Sequence, residues 1–155
     1  LAFAAAFAAL IFLNYAMQTT FVPALAAPYS EANGPLIAAF SMSNPRSLAW
    51  AIEMWGYAAL GLSTWLAAPV FAHGRLERAT AALFVANGPM SIVGGVWTAL
   101  QPGWVFAPSG LAMFAAWNVL VAVMLVLALV ALRRRAGVEP AGERPTSLRA
   151  QLRES

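Results

Sequence analysis

Four stretches of nearly unbroken apolar character constrain this chain more than any other feature: Leu1 to Val22, Ser47 to Val70, Ala79 to Leu100 and Leu111 to Leu132. A bilayer core is crossed by about 20 helical residues, so each stretch is long enough to span it. Breakers or charges bound them: Pro23, the Asn44-Pro45-Arg46 turn, His73-Gly74-Arg75, Gln101-Pro102-Gly103 and Arg133-Arg134-Arg135. The third contains Gly88-Pro89, which membrane helices tolerate when a neighbour satisfies the freed carbonyl, here that of Val85. Hydrocarbon offers no partner to unpaired backbone groups, so such segments fold as helices. The predicted fold is all-α, a four-transmembrane-helix bundle over residues 1–132, followed by an Arg-rich tail, 133–155, with the composition of a largely disordered segment.

Charge placement orients the bundle. All nine basic residues are Arg and all six acidic ones are Glu. From residue 133 onward there are six Arg and three Glu, whereas residues 1–132 hold three of each, so the whole net charge of +3 lies in the tail. That distribution indicates a topology signal and contacts from Arg133, Arg134 and Arg135 to the membrane surface, not a nucleic-acid partner. Arg75 and Arg78 follow the second span, while the QPGWVFAPSG loop after the third carries no charge. Four spans with both termini cytoplasmic satisfy every loop, and the expected location is a bacterial inner (plasma) membrane. Trp104 and Phe106 then fall where an outer aromatic belt belongs.

The outer loop, 23–46, contains PLIAAFSM, too short to span and predicted to form a short interfacial or re-entrant helix over 35–42. The tail segment TSLRAQLRES is predicted to form a brief helix on the inner surface. Ala24-Leu25-Ala26 after an apolar run also resembles a signal-peptidase site; with no basic region ahead of that run, the first segment is taken as a span.

At about 100° per residue, the polar residues of each span gather on one face. In the third, Thr80, Asn87, Ser91, Gly94 and Thr98 align; in the first, Asn14 and Gln18 are one turn apart; in the second, Glu53, Tyr57 and Thr64 share a side opposite Trp55 and Leu66. Counted inward at 1.5 Å per residue, Asn14, Glu53 and Asn118 lie about 12, 9 and 10 Å from the outer ends of their helices. A single buried polar layer in the outer half of the membrane is therefore expected, built from Glu53, Tyr57, Asn14, Gln18, Asn87, Ser91 and Asn118. Amides and hydroxyls at such positions commonly serve as helix glue, but a carboxyl within a span with no Arg or Lys beside it is a functional candidate.

Several chemistries are disfavoured. With no Cys and one His, the chain has no thiol nucleophile, thiolate zinc site or bis-histidine haem ligation, and neither metal nor cofactor is expected. No catalytic triad, carboxylate dyad or phosphate loop is present, so an enzyme is not expected. The segment from Asn44 to Phe71, with Asn44-Pro45, Trp50, Glu53, Gly56-Tyr57 and Ala68-Pro69-Val70-Phe71, resembles one found in uncharacterised small polytopic membrane proteins of prokaryotes. The resemblance implies a multi-span fold and brings no activity.

The expected function is binding of a small or amphipathic ligand, or passage of a proton or cation, at the layer around Glu53. Besides the lipid bilayer, a homo-oligomer or a membrane-complex partner is expected. The alternative is a non-catalytic accessory or assembly subunit whose polar seam only specifies packing.

Overall fold

The computed structural model describes residues 1–27 and 30–138, and every regular element among them is helical. Helix α1 runs Ala2–Ala26, with a π-helical turn at Met17–Phe21. A short α2, Gly34–Phe40, follows a single 3-10 turn. Then come α3, Leu48–Ala67, α4, Gly74–Leu100, and α5, Pro108–Val138. Further 3-10 turns, Ala68–Val70 and Pro102–Phe106, close α3 and link α4 to α5. The predicted tail helix lies outside the described residues.

Three helices, α1, α4 and α5, are long and apolar enough to cross a membrane. Helix α3 has the length but is diluted by Glu53, Tyr57 and three tryptophans. Boundaries also differ from expectation. Pro23 does not end α1, because it follows the π turn, where the regular ladder is already interrupted and Thr19 and Thr20 donate their hydroxyls back to the carbonyls of Tyr15 (2.8 Å) and Ala16 (2.5 Å). Helix α2 stops at Phe40 rather than 42, since the backbone at 40–42 is bonded to side chains of α1 and α3. Helix α4 starts five residues before Ala79, after Gly74 turns the chain at a φ of 85°. Helix α5 continues six residues past Leu132, so Arg133, Arg134 and Arg135, expected in a largely disordered tail, are helical.

The helices do not close into a ring. Helix α3 packs along α1 on one side and α4 on the other, and α5 packs on α4, with no comparable contact between α1 and α5 or between α3 and α5. One third of the apolar window of α4 is buried against 6% of that of α1, so α3 and α4 form the centre and α1 and α5 flank it. Small residues permit the close crossings: a methyl on Gly61 would stand 2.7 Å from Ser91 Cβ and 3.0 Å from the Gly88 carbonyl. One on Gly56 would stand 3.0 Å from Ile11 Cδ1.

The two ends of the assembly differ. At the end bearing Arg75, Arg78 and Arg133 to Arg135, an apolar core of Ala68, Phe71, Phe84, Met124, Ala128 and Ala131 joins the turn after α3 to α4 and α5. Beneath it Arg135 forks onto Glu77 (Nε to Oε1 2.8 Å, Nη2 to Oε2 2.5 Å) and also donates to the Val70 carbonyl at 2.8 Å. Glu77 in turn accepts the His73 backbone N–H at 2.9 Å, which anchors the first turn of α4. From that core toward the opposite, loop-bearing end, buried polar residues follow one another, from Thr64 and Asn87 to Glu53 and Asn14.

Candidate functional site

Glu53 sits one and a half turns into α3 and is 3% exposed. Two donors reach it: Asn14 Nδ2 of α1 lies 2.6 Å from Oε2, and the Tyr57 hydroxyl, one turn along the same helix, donates to Oε1. Asn14 is fully buried; its Nδ2 is also 3.6 Å from Met42 Sδ, and its Oδ1 has no hydrogen-bond partner. The loop over this carboxyl is held from both helices. Gln18 brackets it, donating to the Phe40 carbonyl at 2.8 Å and accepting from Met42 N–H at 3.1 Å, while Trp50 Nε1 donates to the Met42 carbonyl at 2.7 Å. Gln18 therefore fixes the cover and does not itself touch Glu53.

Asn87 and Ser91 belong to a second network, between α3, α4 and α5. Asn87 Nδ2 donates to Thr64 Oγ1 at 2.9 Å, and Thr64 passes its own proton to the Gly61 carbonyl at 2.9 Å. Ser91 Oγ donates to Asn87 Oδ1 at 3.2 Å, and Trp117 Nε1 of α5 donates to both Asn87 Oδ1 (3.0 Å) and Ser91 Oγ (3.1 Å). The single expected layer is thus two clusters, Asn14–Glu53–Tyr57 and Thr64–Asn87–Ser91–Trp117, bridged by ring contact between Tyr57 and Trp117 at 4.6 Å. Asn118 joins neither: it is exposed and donates to the Phe114 carbonyl of its own helix at 2.8 Å. Its neighbour Trp117, about 100° around the helix, is the α5 residue that faces inward. Arg133 and Arg134 are exposed at the surface, whereas Arg135 is committed to Glu77.

Between α3, α4, α5 and the Pro102–Phe106 turn lies a cavity of about 330 Å³. Four of the six tryptophans line it, Trp50, Trp97, Trp104 and Trp117, with Met54, Met90 and Met113 filling between them. Trp104 is half-buried, its Nε1 donating to Thr98 Oγ1 at 2.8 Å, while Phe106 meets Trp50 edge-on at 5.7 Å and stays exposed, as a belt residue would. Gly94 also lines the cavity, and a methyl placed on it would meet nothing within 4 Å. Val93, Trp97, Met113 and Phe114 on the α4 and α5 walls are themselves exposed, so the cavity opens on the flank of the assembly between those helices. Tyr57 and Ser91, one residue from each polar cluster, are part of the wall.

A volume of this size falls at the lower end of small-molecule sites, and an aromatic and thioether lining with few polar atoms suits an apolar guest. The helical arithmetic singled out Tyr57, Ser91 and Gly94 but not Met54 or Trp117, because apolar residues on one helix carry no mark distinguishing a cavity wall from a packed core. Comparison with protein-family profiles, curated proteins and solved structures gives no match.

Proposed function

We propose that this is a membrane protein with four crossings, its arginine-bearing end cytoplasmic, that binds an apolar or amphipathic molecule taken from the bilayer into the cavity between α3, α4 and α5. The observation that carries this reading is the cavity itself, lined by aromatic side chains and bordered by the exposed apolar residues Val93, Trp97, Met113 and Phe114. The fourth crossing is α3: its 20 residues run antiparallel between two helices of spanning length, and its least apolar residues, Glu53 and Tyr57, are bonded to one another and to Asn14. Glu53 and Asn14 hold Tyr57 in place, and the Thr64–Asn87–Ser91 cluster does the same for Trp117.

Passage of a proton or cation has less support. The Asn14–Glu53–Tyr57 cluster lies in the loop-bearing half and the Thr64–Asn87–Ser91–Trp117 cluster reaches past mid-depth, with Thr64 three residues from the end of α3, but the apolar core around Phe84 and Met124 stands between both clusters and the arginines. Thr80, a buried hydroxyl on the arginine side of Asn87 along α4, is bonded to the Leu76 carbonyl of its own helix at 3.0 Å.

The test is saturable quenching of tryptophan fluorescence by a long-chain ω-bromo hydrocarbon in lipid nanodiscs. Wild type is expected to show a saturable component above the linear quenching of exposed Trp55 and Trp65. Gly94→Leu, which places a side chain in the open space, is expected to lose it. Equal saturable quenching in both proteins would reject the cavity as the binding site.

A further inference from the structure

The side-chain donors around the cavity are almost all committed elsewhere, and this restricts what can bind. The Tyr57 hydroxyl gives its proton to Glu53. Ser91 gives its own to Asn87 Oδ1. Trp117 Nε1 points at Asn87 and Ser91, Trp104 Nε1 at Thr98 Oγ1, and Trp50 Nε1 at the Met42 carbonyl. Among the indoles of the wall, Trp97 alone has no recorded partner, and it sits 46% exposed at the mouth. What remains at the enclosed side chains is acceptor capacity: an unused lone pair on Tyr57 Oη and on Ser91 Oγ, besides weakly accepting methionine sulfurs. No Arg, Lys or His lines the cavity.

From this we infer that the ligand is a neutral lipophile whose polar group, if it has one, is a hydrogen-bond donor: an alcohol on a long apolar chain or ring. The inference rests on the binding reading above and narrows it. A carboxylate or phosphate head entering the cavity would lose its hydration with no cation or free side-chain donor to replace it. A ketone or quinone head would lose the hydrogen bonds that its carbonyl accepts from water. A hydroxyl can donate to Tyr57 Oη or Ser91 Oγ and keep its hydrogen bond. The selectivity is set at one remove, by Glu53. As long as residue 53 presents an acceptor, the Tyr57 proton is turned away from the cavity; removing that acceptor frees the proton to donate inward.

The experiment compares four ω-bromo probes of one chain length, a hydrocarbon, a primary alcohol, a methyl ketone and a carboxylate, by saturable tryptophan quenching of the full chain in nanodiscs. Wild type is expected to bind the alcohol at least tenfold more tightly than the ketone or the carboxylate. Tyr57→Phe is expected to lower alcohol affinity severalfold relative to hydrocarbon affinity in the same variant. Glu53→Gln, which keeps an acceptor for Tyr57, is expected to retain the wild-type order, whereas Glu53→Leu is expected to raise ketone affinity. Ketone or carboxylate binding as tight as the alcohol in wild type would overturn the inference. So would alcohol affinity unchanged relative to hydrocarbon affinity in Tyr57→Phe combined with ketone affinity unchanged in a folded Glu53→Leu. If the hydrocarbon and the alcohol both fail to quench saturably, the binding reading itself fails, which is a separate outcome from loss of selectivity.

Discussion

At the scale of single residues, Glu53 is defined by what it leaves behind when removed. Glu53→Leu strips an acceptor from fully buried Asn14 and from the Tyr57 hydroxyl. An unpaired buried polar group costs about 1–3 kcal/mol, so Glu53→Leu is expected to lower stability by about 2 kcal/mol or more in reversible unfolding in detergent. Glu53→Gln is expected to cost less than about 1 kcal/mol. The Gln oxygen accepts from Tyr57, and its amide N–H can meet Asn14 Oδ1, which has no partner in the native protein, once the Asn14 amide turns over. A Leu variant as stable as wild type would show that the cluster contributes nothing to folding. Helical arithmetic brought out Glu53, Tyr57 and Asn14 because polar atoms in an apolar helix are conspicuous. The same criterion selected Asn118, which bonds its own Phe114 carbonyl and faces outward, and passed over Trp117, whose indole carries the interaction. An amide on a helix can be satisfied by the helix itself, and its presence does not reveal which way it points.

At the scale of elements, two glycines of α4's neighbourhood make opposite predictions. Gly61 lies at the α3–α4 crossing, where a methyl would press against Ser91 Cβ and the Gly88 carbonyl, so Gly61→Ala is expected to destabilise by about 1–3 kcal/mol. Gly94 faces the open cavity from mid-helix, and Gly94→Ala is expected to stabilise by about 0.5–1 kcal/mol through helix propensity alone. Thermal unfolding of the two variants beside wild type checks both signs. Helix positions and the polar face of α4 were legible in the sequence, since Thr80, Asn87, Ser91 and Thr98 are all buried. Helix ends were not, because they are fixed by long-range partners: the bidentate Arg135–Glu77 pair keeps both α4 and α5 helical beyond their apolar stretches. That clamp predicts a non-additive loss of stability in a double-mutant cycle of Glu77→Gln and Arg135→Gln. Additive losses would mean the pair adds nothing beyond each helix's own end.

At the scale of the whole molecule, the arrangement among the described residues is a serial packing of α1, α3, α4 and α5 with a lateral cavity, not a closed bundle with a central polar seam. Sequence periodicity assigns a face to each helix but does not say which helices meet, so the separation of α3 from α5 that creates the cavity was not readable. The absence of cysteine makes topology directly testable. Single cysteines at Ser43 and Ser109 are expected to react with an impermeant thiol reagent from outside the cell, and one at Ala72 only from inside. Labelling of positions 43 and 72 from the same side would mean that α3 does not cross. The cavity's role is tested most directly by native mass spectrometry of the protein extracted from its own membrane, comparing wild type with Gly94→Leu. Wild type is expected to carry a bound uncharged lipid, released on activation, that Gly94→Leu lacks. A folded wild type emerging without an adduct, or both proteins carrying the same one, would contradict the assignment of this cavity as the binding site.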